Sequence, residues 1–263
     1  MQRRSFLGML GAAGAAGMLP VLQAGGAETE KRTRFYAFDR FYMRQGTQPA
    51  RLHEYFSKAV LPALDKVHSG PKIFLEALVA PHMPQVAIFV GFQSLEEMWR
   101  GHTVLGQDKE LAKAAEQWEG GPEPPFEEQA NVVLEAADYS PEIVAPAEPR
   151  KTSRIFELRV YHSPTWLHLQ ALHERFSTQE IKIFHRVGIH PVLYGHTIFG
   201  PNMPNLTYLT PFENLAAREK AWEAFGADPE WAKVRKESVE KHGQIVQTIQ
   251  LSLFRATAYS PIR

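Results

Sequence analysis

The chain has 263 residues, 44% of them hydrophobic, which is enough for one large domain or two of roughly 120 residues, each with its own core. Its 29 basic and 29 acidic residues balance, so no excess of charge indicates a nucleic-acid partner or a disordered acidic tail. Cysteine is absent, which excludes disulfides, a thiol nucleophile and a metal or cluster held by cysteine.

The first 27 residues resemble an export signal of the twin-arginine type. Arg3 and Arg4 precede a weakly apolar stretch rich in glycine and alanine, and small residues before Glu28 suit cleavage after Ala27. The alternative is a membrane helix, but the apolar core has only about 16 residues and is too short and glycine-rich for a stable span. We therefore expect a signal peptide over 1–27 and an exported protein, periplasmic or extracellular, with no membrane span in the mature chain.

The rest of the chain contains one sequence module twice. The hexapeptide LHEYFS begins at Leu52, and its near copy LHERFS begins 120 positions later at Leu172. The same offset relates PHMP to PNMP and one YSP tripeptide to another, at Pro81 and Pro201 and at Tyr139 and Tyr259. A constant offset without gaps predicts two copies of one structural unit. We expect domains over 28–145 and 146–263, because the sequence between the copies is polar and proline-bearing.

Both copies predict the same order of elements. The stretch RIFELRVYH alternates and is rich in β-formers, which predicts a strand, and apolar residues at helical spacing follow it. Two strands joined by the turn GPNMP come next, then helices that begin after Asn214 and Asp228, then a closing strand. This β-α-β-β-α-β order is the ferredoxin-like plan. We expect an α+β fold, with two tandem ferredoxin-like modules packed sheet to sheet as a pseudo-symmetric α/β barrel within one chain.

The second copy resembles a NIPSNAP domain. The family pattern is a Glu-Leu-Arg strand, a Gly-Pro hairpin with a following Asn, a Tyr-bearing strand, a Leu-Ala-x-Arg helix and an Asp-Pro-x-Trp turn. This sequence keeps Glu157, Leu158, Arg159, Gly200, Pro201, Asn205, Tyr208, Leu215, Ala216, Arg218, Asp228, Pro229 and Trp231. The match covers most of 154–261. The first copy is degenerate, since Ala37 and Asp39 stand where Glu157 and Arg159 do.

The resemblance implies membership of the dimeric α/β-barrel superfamily. That superfamily contains cofactor-free monooxygenases, haem-binding enzymes and structural or regulatory proteins. The NIPSNAP family itself has no agreed biochemical activity, so the resemblance implies the fold and leaves the reaction open.

A concave cleft between the two sheets is the expected ligand site. Period-two alternation places Phe156, Leu158 and Val160 on one face, taken as the helix side, and the polar residues between them on the cleft side. The same reasoning applies to the apolar face that runs from Ile73 to Val79. The expected cleft residues are Asp39, Glu76, Glu157, Arg159, Tyr194 and His196.

Two kinds of role are open to these residues. His196 is a candidate base near neutral pH, and Tyr194 is a candidate hydrogen-bond donor to an oxyanion. Arg159 could bind a carboxylate through two parallel N–H donors of its planar guanidinium group. Alternatively, Arg159 pairs structurally, either with Asp39 across the barrel or locally with Glu157, and His196 is a hydrogen-bonded core residue.

The other histidines share no ligand spacing, so no metal site is predicted. His53 and His173 are expected at the surface or flank of their helices. A haem would need a histidine on a helix that lines the cleft, and His173 and His185 are the two that suit such a position.

Three hypotheses therefore stand. The first is a binding module for a small apolar or anionic ligand, the second a cofactor-independent monooxygenase or isomerase-like enzyme that uses His196, and the third a haem-binding protein. We expect no resident cofactor and no nucleic-acid partner. Whether the chain is an enzyme, and whether it forms a homo-oligomer, stays open.

Overall fold

The computed structural model describes residues 32–148 and 150–263, and the export signal expected over 1–27 lies outside them. The first half contains strands β1 (Phe35–Tyr42), β2 (Lys72–Val79), β3 (Gln85–Phe92) and β4 (Glu128–Ala136). Helix α1 (Gln48–Tyr55) continues through a π-helical turn (Phe56–Val60) into α2 (Leu61–Val67), and α3 (Leu95–Leu105) and α4 (Lys109–Glu119) follow β3.

The second half repeats this order. Its strands are β5 (Ile155–His162), β6 (Leu193–Phe199), β7 (Asn205–Phe212) and β8 (Thr248–Ala256). Its helices are α5 (Trp166–Arg175), continued by a π-helical turn (Phe176–Glu180) into α6 (Ile181–Arg186), then α7 (Leu215–Gly226) and α8 (Pro229–His242). No helix within the described ranges is long and apolar enough to cross a membrane.

Helix starts follow the capping residues that the sequence indicates. Asn214 accepts a hydrogen bond from the backbone N–H of Ala217 at 2.9 Å and begins α7. Asp228 accepts from the N–H groups of Glu230 and Trp231 and begins α8, with a proline in the first turn. Each cap satisfies N–H groups that would otherwise lack a partner.

The eight strands close into one antiparallel barrel in the order β1-β3-β2-β8-β5-β7-β6-β4. Within this ring, β4-β1-β3-β2 and β8-β5-β7-β6 are two ferredoxin-like sheets with the same internal order. They join edge to edge, where β2 pairs with β8 and β4 pairs with β6. The predicted fold, a pseudo-symmetric α/β barrel built from two tandem modules, is confirmed.

The barrel interior takes the more apolar face of both sheets. Its core includes Leu75, Phe156 and Leu158, and the rings of Phe38 and Phe89 stack there at 4.2 Å. The expectation that this face meets the helices is therefore wrong. A closed interior lined from all sides excludes water and cannot hold unpaired polar groups. The opposite face of each sheet, which meets the helices, carries the polar residues such as Glu157 and Arg159.

The side chains of the two repeated YSP tripeptides form hydrogen bonds with the opposite half of the barrel. Tyr139, after β4, bonds through its hydroxyl to Nδ1 of His173 on α5 at 2.7 Å. Tyr259, after β8, makes the equivalent 2.9 Å bond to Nδ1 of His53 on α1. The serine after each tyrosine accepts a backbone N–H from the opposite half at 3.0 Å. Both histidines thus hold the halves together, which the expectation of a surface or flank position missed.

Candidate functional site

The six expected cleft residues do not form one site. Because they lie on the helix side of the sheets, Asp39 faces the helices of the first half, and Arg159 and Glu157 face those of the second half. Asp39 and Arg159 therefore do not pair. Glu76 is exposed, with Nε2 of His53 3.7 Å from its carboxylate. The remaining two, Tyr194 and His196, lie on β6 beside α5.

Glu157 is the anchor of a polar network between β5 and α7. Its side chain is fully buried and accepts hydrogen bonds from Arg159 and Arg218. Nε1 of Trp222 donates to the same carboxylate at 3.0 Å. The guanidinium of Arg159 also lies 3.7 Å from the centroid of the Trp222 ring. Of the two structural pairings considered for Arg159, the structure has the one with Glu157. Together with the Trp222 contact, it fixes the guanidinium in one orientation.

Arg159 forms part of the wall of a groove, of about 530 Å³, that opens to solvent between β5, α7 and α8. We call it the arginine groove. Arg175 and Arg235 also line it, as do Trp222 and Trp231. Glu180 is the one carboxylate in its lining. Three guanidinium groups against one carboxylate give the groove a positive balance.

Several hydrogen-bond donors in the arginine groove have no acceptor among the described residues. Nε of Arg175 donates to Glu180 at 2.7 Å, but its two Nη groups make no hydrogen bond to the described residues. Arg235 is exposed on α8 and makes no ion pair within the same residues. Tyr161 accepts from Tyr208 at 2.8 Å and from Arg159 at 3.2 Å, which leaves its own O–H to donate. The groove therefore presents donors and few acceptors.

The π-helical turn positions one of these arginines. Arg175 ends α5 and Glu180 ends the π-helical turn, five residues later. A π-helical turn brings residues i and i+5 onto one side, so the pair can meet at 2.7 Å. Burial raises the pKa of Glu180, and the neighbouring Arg175 opposes that rise.

The first half fills the equivalent space with aromatic side chains. At the 120-residue offset, Tyr55 stands for Arg175, Trp118 for Ser238 and Phe126 for Val246. The rings of Tyr55 and Trp118 stack at 4.4 Å, and Trp118 lies 5.7 Å from Phe126. The fold can therefore close this space by packing. The second half keeps it open and lines it with charge.

A second polar cluster surrounds His196. Its ring lies 5.5 Å from that of His173, and its Nε2 lies 3.5 Å from Glu135. Burial lowers its pKa, which Glu135 partly offsets. Nδ1 of His196 and the hydroxyl of Tyr194 are buried without a hydrogen-bond partner in the described part of the chain.

No histidine is among the described residues that line the arginine groove, so this groove offers no histidine ligand for a haem iron. Within the described ranges, no group of three or more His, Asp or Glu could hold a metal ion.

Sequence reasoning missed most of the arginine groove. It selected Arg159 from strand alternation and Trp231 as part of the family pattern, but Arg175 and Arg235 lie on helices whose apolar spacing gives no reason to single them out. The signal was present in the repeat, because Arg175 and Arg235 replace Tyr55 and Ala115 of the first copy.

The family model of NIPSNAP matches residues 156–261 of the chain. A search of curated protein sequences finds no match. Among solved structures, an anthrone oxidase-like protein is 13% identical, with a TM-score of 0.53, and the alignment covers 86% of this chain and 92% of that one.

A candidate monooxygenase from Lactobacillus acidophilus NCFM is 10% identical, with a TM-score of 0.51 and coverage of 85% and 94%. A NIPSNAP-like domain protein from Burkholderia xenovorans is 24% identical over 41% of this chain and 89% of that one, with a TM-score of 0.36. The two alignments that span most of this chain show a shared fold.

Proposed function

We propose that the chain is a member of the NIPSNAP family, whose model matches residues 156–261, and that the arginine groove of this half binds a small organic anion with an apolar or aromatic body. The observation that carries the proposal is the contrast between the halves. The same space is packed with aromatic rings in one copy and kept open by charged residues in the other.

The chemistry of the groove favours a carboxylate. A guanidinium offers two parallel N–H donors, which match the two oxygens of a carboxylate. Arg159 is held by Glu157 and Trp222, so little side-chain entropy is lost when a ligand binds it. Trp222 and Trp231 offer flat apolar surfaces to the body of the ligand. In this proposal the ligand lies between a sheet and its helices, and not between the two sheets.

Binding can be measured with phenylacetate and its uncharged counterpart phenylacetamide, by calorimetry and by the fluorescence of the groove tryptophans. Arg235→Ala should weaken phenylacetate binding about tenfold, the value of one charge-assisted hydrogen bond of about 1.5 kcal/mol. Arg100→Ala is the matched control, because Arg100 is also exposed on a helix and lies outside the groove. Its affinity should equal that of the parent.

A second variant tests the geometry. Ser238→Trp places the aromatic residue of the first copy at the equivalent position, so it should abolish binding while circular dichroism stays unchanged. Equal affinity for phenylacetate and phenylacetamide, or an Arg235→Ala variant that binds like the parent, would refute the proposal.

The enzyme alternative rests on the unpaired groups of His196 and Tyr194. Buried polar atoms without partners are destabilising, and a substrate that bonded to both would relieve this. If the chain is a cofactor-free oxygenase, His196→Ala and Tyr194→Phe should each abolish oxygen consumption with an electron-rich phenolic substrate, measured with an oxygen electrode. Consumption that persists in both variants would exclude these residues from the reaction.

A further inference from the structure

A smaller cavity lies between the sheet and the helices of the first half. Its volume is about 80 Å³, and most of its lining is apolar, including Leu64, Phe74, Ile88 and Leu105. Trp99, half-exposed on α3, lies at its border and stacks on His102 at 5.5 Å. We call it the aspartate cavity, because Asp39 is the one carboxylate among its lining residues.

Two oxygen acceptors face the aspartate cavity. Asp39 is only 4% exposed, and Gln129 is the hydrogen-bond donor to its carboxyl group. Asn131 lies directly opposite Asp39 on the neighbouring strand, so both side chains are on the same face. Its Oδ1 is buried and has no hydrogen-bond partner among the described residues.

No lysine or arginine of the described chain lines the cavity to balance Asp39. His68 also lines the cavity, but its Nε2 contacts the carbonyl of Gly91 at 2.8 Å and its Nδ1 lies 3.4 Å from Glu97. Burial therefore raises the pKa of the Asp39 carboxyl to about 7, with Gln129 opposing the rise. The buried Asp39 carboxyl group has no lysine or arginine beside it in the cavity, and Oδ1 of Asn131 has no donor among the described residues. A ligand that donates hydrogen bonds would satisfy both.

The repeat gives this arrangement a counterpart of opposite sign. At the 120-residue offset, Asp39 corresponds to Arg159 and Asn131 to Leu251. The same position in the barrel thus carries acceptors in one half and a fixed cation in the other. Neither charge is required by the fold, because the two halves share one topology.

We propose that the aspartate cavity binds a small primary ammonium ion with a short alkyl tail, whose N–H donors bond to the Asp39 carboxylate and to Oδ1 of Asn131. The apolar walls take the tail. A cavity of about 150 Å³ holds the six carbons of benzene, so roughly half that volume fits about three heavy atoms, the nitrogen and a tail of about two carbons. This site is separate from the arginine groove and does not depend on its ligand.

The proposal includes a pH dependence. An alkylammonium ion keeps its charge between pH 6 and 8, whereas Asp39 ionises over this range. Binding should therefore tighten about tenfold from pH 6 to pH 8. The other titratable side chains that line the cavity are His68, between α2 and β2, and His102 on α3. Any pH dependence of binding that remains in a variant without the Asp39 carboxyl group comes from these two histidines.

The experiment is calorimetric titration of the full chain with ethylammonium chloride and with ethanol, at pH 6 and pH 8. The parent should bind the ammonium ion at millimolar or tighter affinity at pH 8. Asp39→Asn keeps the side-chain shape and should weaken binding at least tenfold and remove the pH dependence. Asn131→Leu, which introduces the residue of the other half, should weaken it several-fold. Arg235→Ala should leave it unchanged.

Three results would overturn the proposal. These are no binding of ethylammonium by the parent at pH 8, equal binding by Asp39→Asn, and equal affinity for ethanol, which would show that the charge plays no part. Circular dichroism of each variant shows whether it is folded. Asn131→Leu provides a second variant that keeps the acid if Asp39→Asn does not fold.

Discussion

The buried acid on β1 makes the stability of the protein depend on pH in a direction unusual for an aspartate. A pKa near 7 in the folded chain, against 3.8 in the unfolded chain, corresponds to about 4 kcal/mol, since one pKa unit is worth about 1.4 kcal/mol. Below pH 3.8 the carboxyl group is protonated in both states and contributes nothing. Between pH 3.8 and 7 the unfolded chain ionises first, so the destabilisation grows with pH, and above pH 7 it is complete.

Asp39→Asn removes this ionisation. The variant should be more stable than the parent by about 1 kcal/mol at pH 4.5 and by up to about 4 kcal/mol at pH 8. Urea unfolding followed by circular dichroism at both pH values measures the difference. Glu116→Gln is the control, because Glu116 is exposed on α4 and makes no ion pair within the described chain. A difference between Asp39→Asn and the parent that is the same at pH 4.5 and pH 8 would refute the reasoning.

Three further predictions concern other regions. Glu157→Leu leaves the guanidinium of Arg159 without its buried carboxylate, so urea unfolding should show a loss of about 3–5 kcal/mol, and a loss below 1 kcal/mol would contradict the network described. Burial, with a smaller effect of the neighbouring His196 imidazole, lowers the pKa of His173 to about 4, so the contribution of His173 to stability is lost as pH drops from 6.5 towards 4, opposite in sign to the contribution of Asp39. His173→Gln removes this loss, so its free energy of unfolding relative to the parent's should rise as pH falls from 6.5 towards 4, and a difference that does not change with pH would argue against a neutral buried imidazole. Replacing Arg3 and Arg4 with lysine should retain the protein in the cytoplasm of a bacterium that has the twin-arginine pathway, and periplasmic recovery equal to the parent's would contradict the proposed signal.

The order of strands and helices could be predicted because two independent signals agreed. Alternation marked strands such as β5, apolar spacing marked helices such as α5, and the constant offset made each copy a check on the other. Asn214 and Asp228 also began helices as expected, since capping chemistry depends on a few adjacent residues.

The direction in which each face points could not be read from alternation. Period two separates Phe156 and Leu158 from Glu157 and Arg159, but it does not say which pair meets the helices. In an open sheet the helices cover the more apolar face. In this barrel the second sheet supplies a fully enclosed interior, which takes the more apolar face instead. The assignment depended on closure of the ring, a long-range property.

The charged lining of the candidate sites was only partly accessible for a related reason. Asp39 and Arg159 could be selected because each lies on a strand and differs between the copies. Arg235 lies on an amphipathic helix, where an exposed arginine is ordinary. Only the way α8 packs on α5, α7 and the second π-helical turn makes Arg235 part of a groove.

The two seams of the barrel, between β2 and β8 and between β4 and β6, have a consequence for how the molecule responds to dilution and to mutation. A chain with one copy would reach the same closed ring only by pairing with a second chain, so its melting temperature would vary with protein concentration. Here the second half is tethered in the same chain, so closure of the barrel itself should not depend on protein concentration. Identical subunits must also carry identical pockets, whereas covalent fusion lifts that requirement. A mutation that places an acid in one pocket then has no effect on its counterpart, and an acidic and a basic pocket can coexist in one barrel.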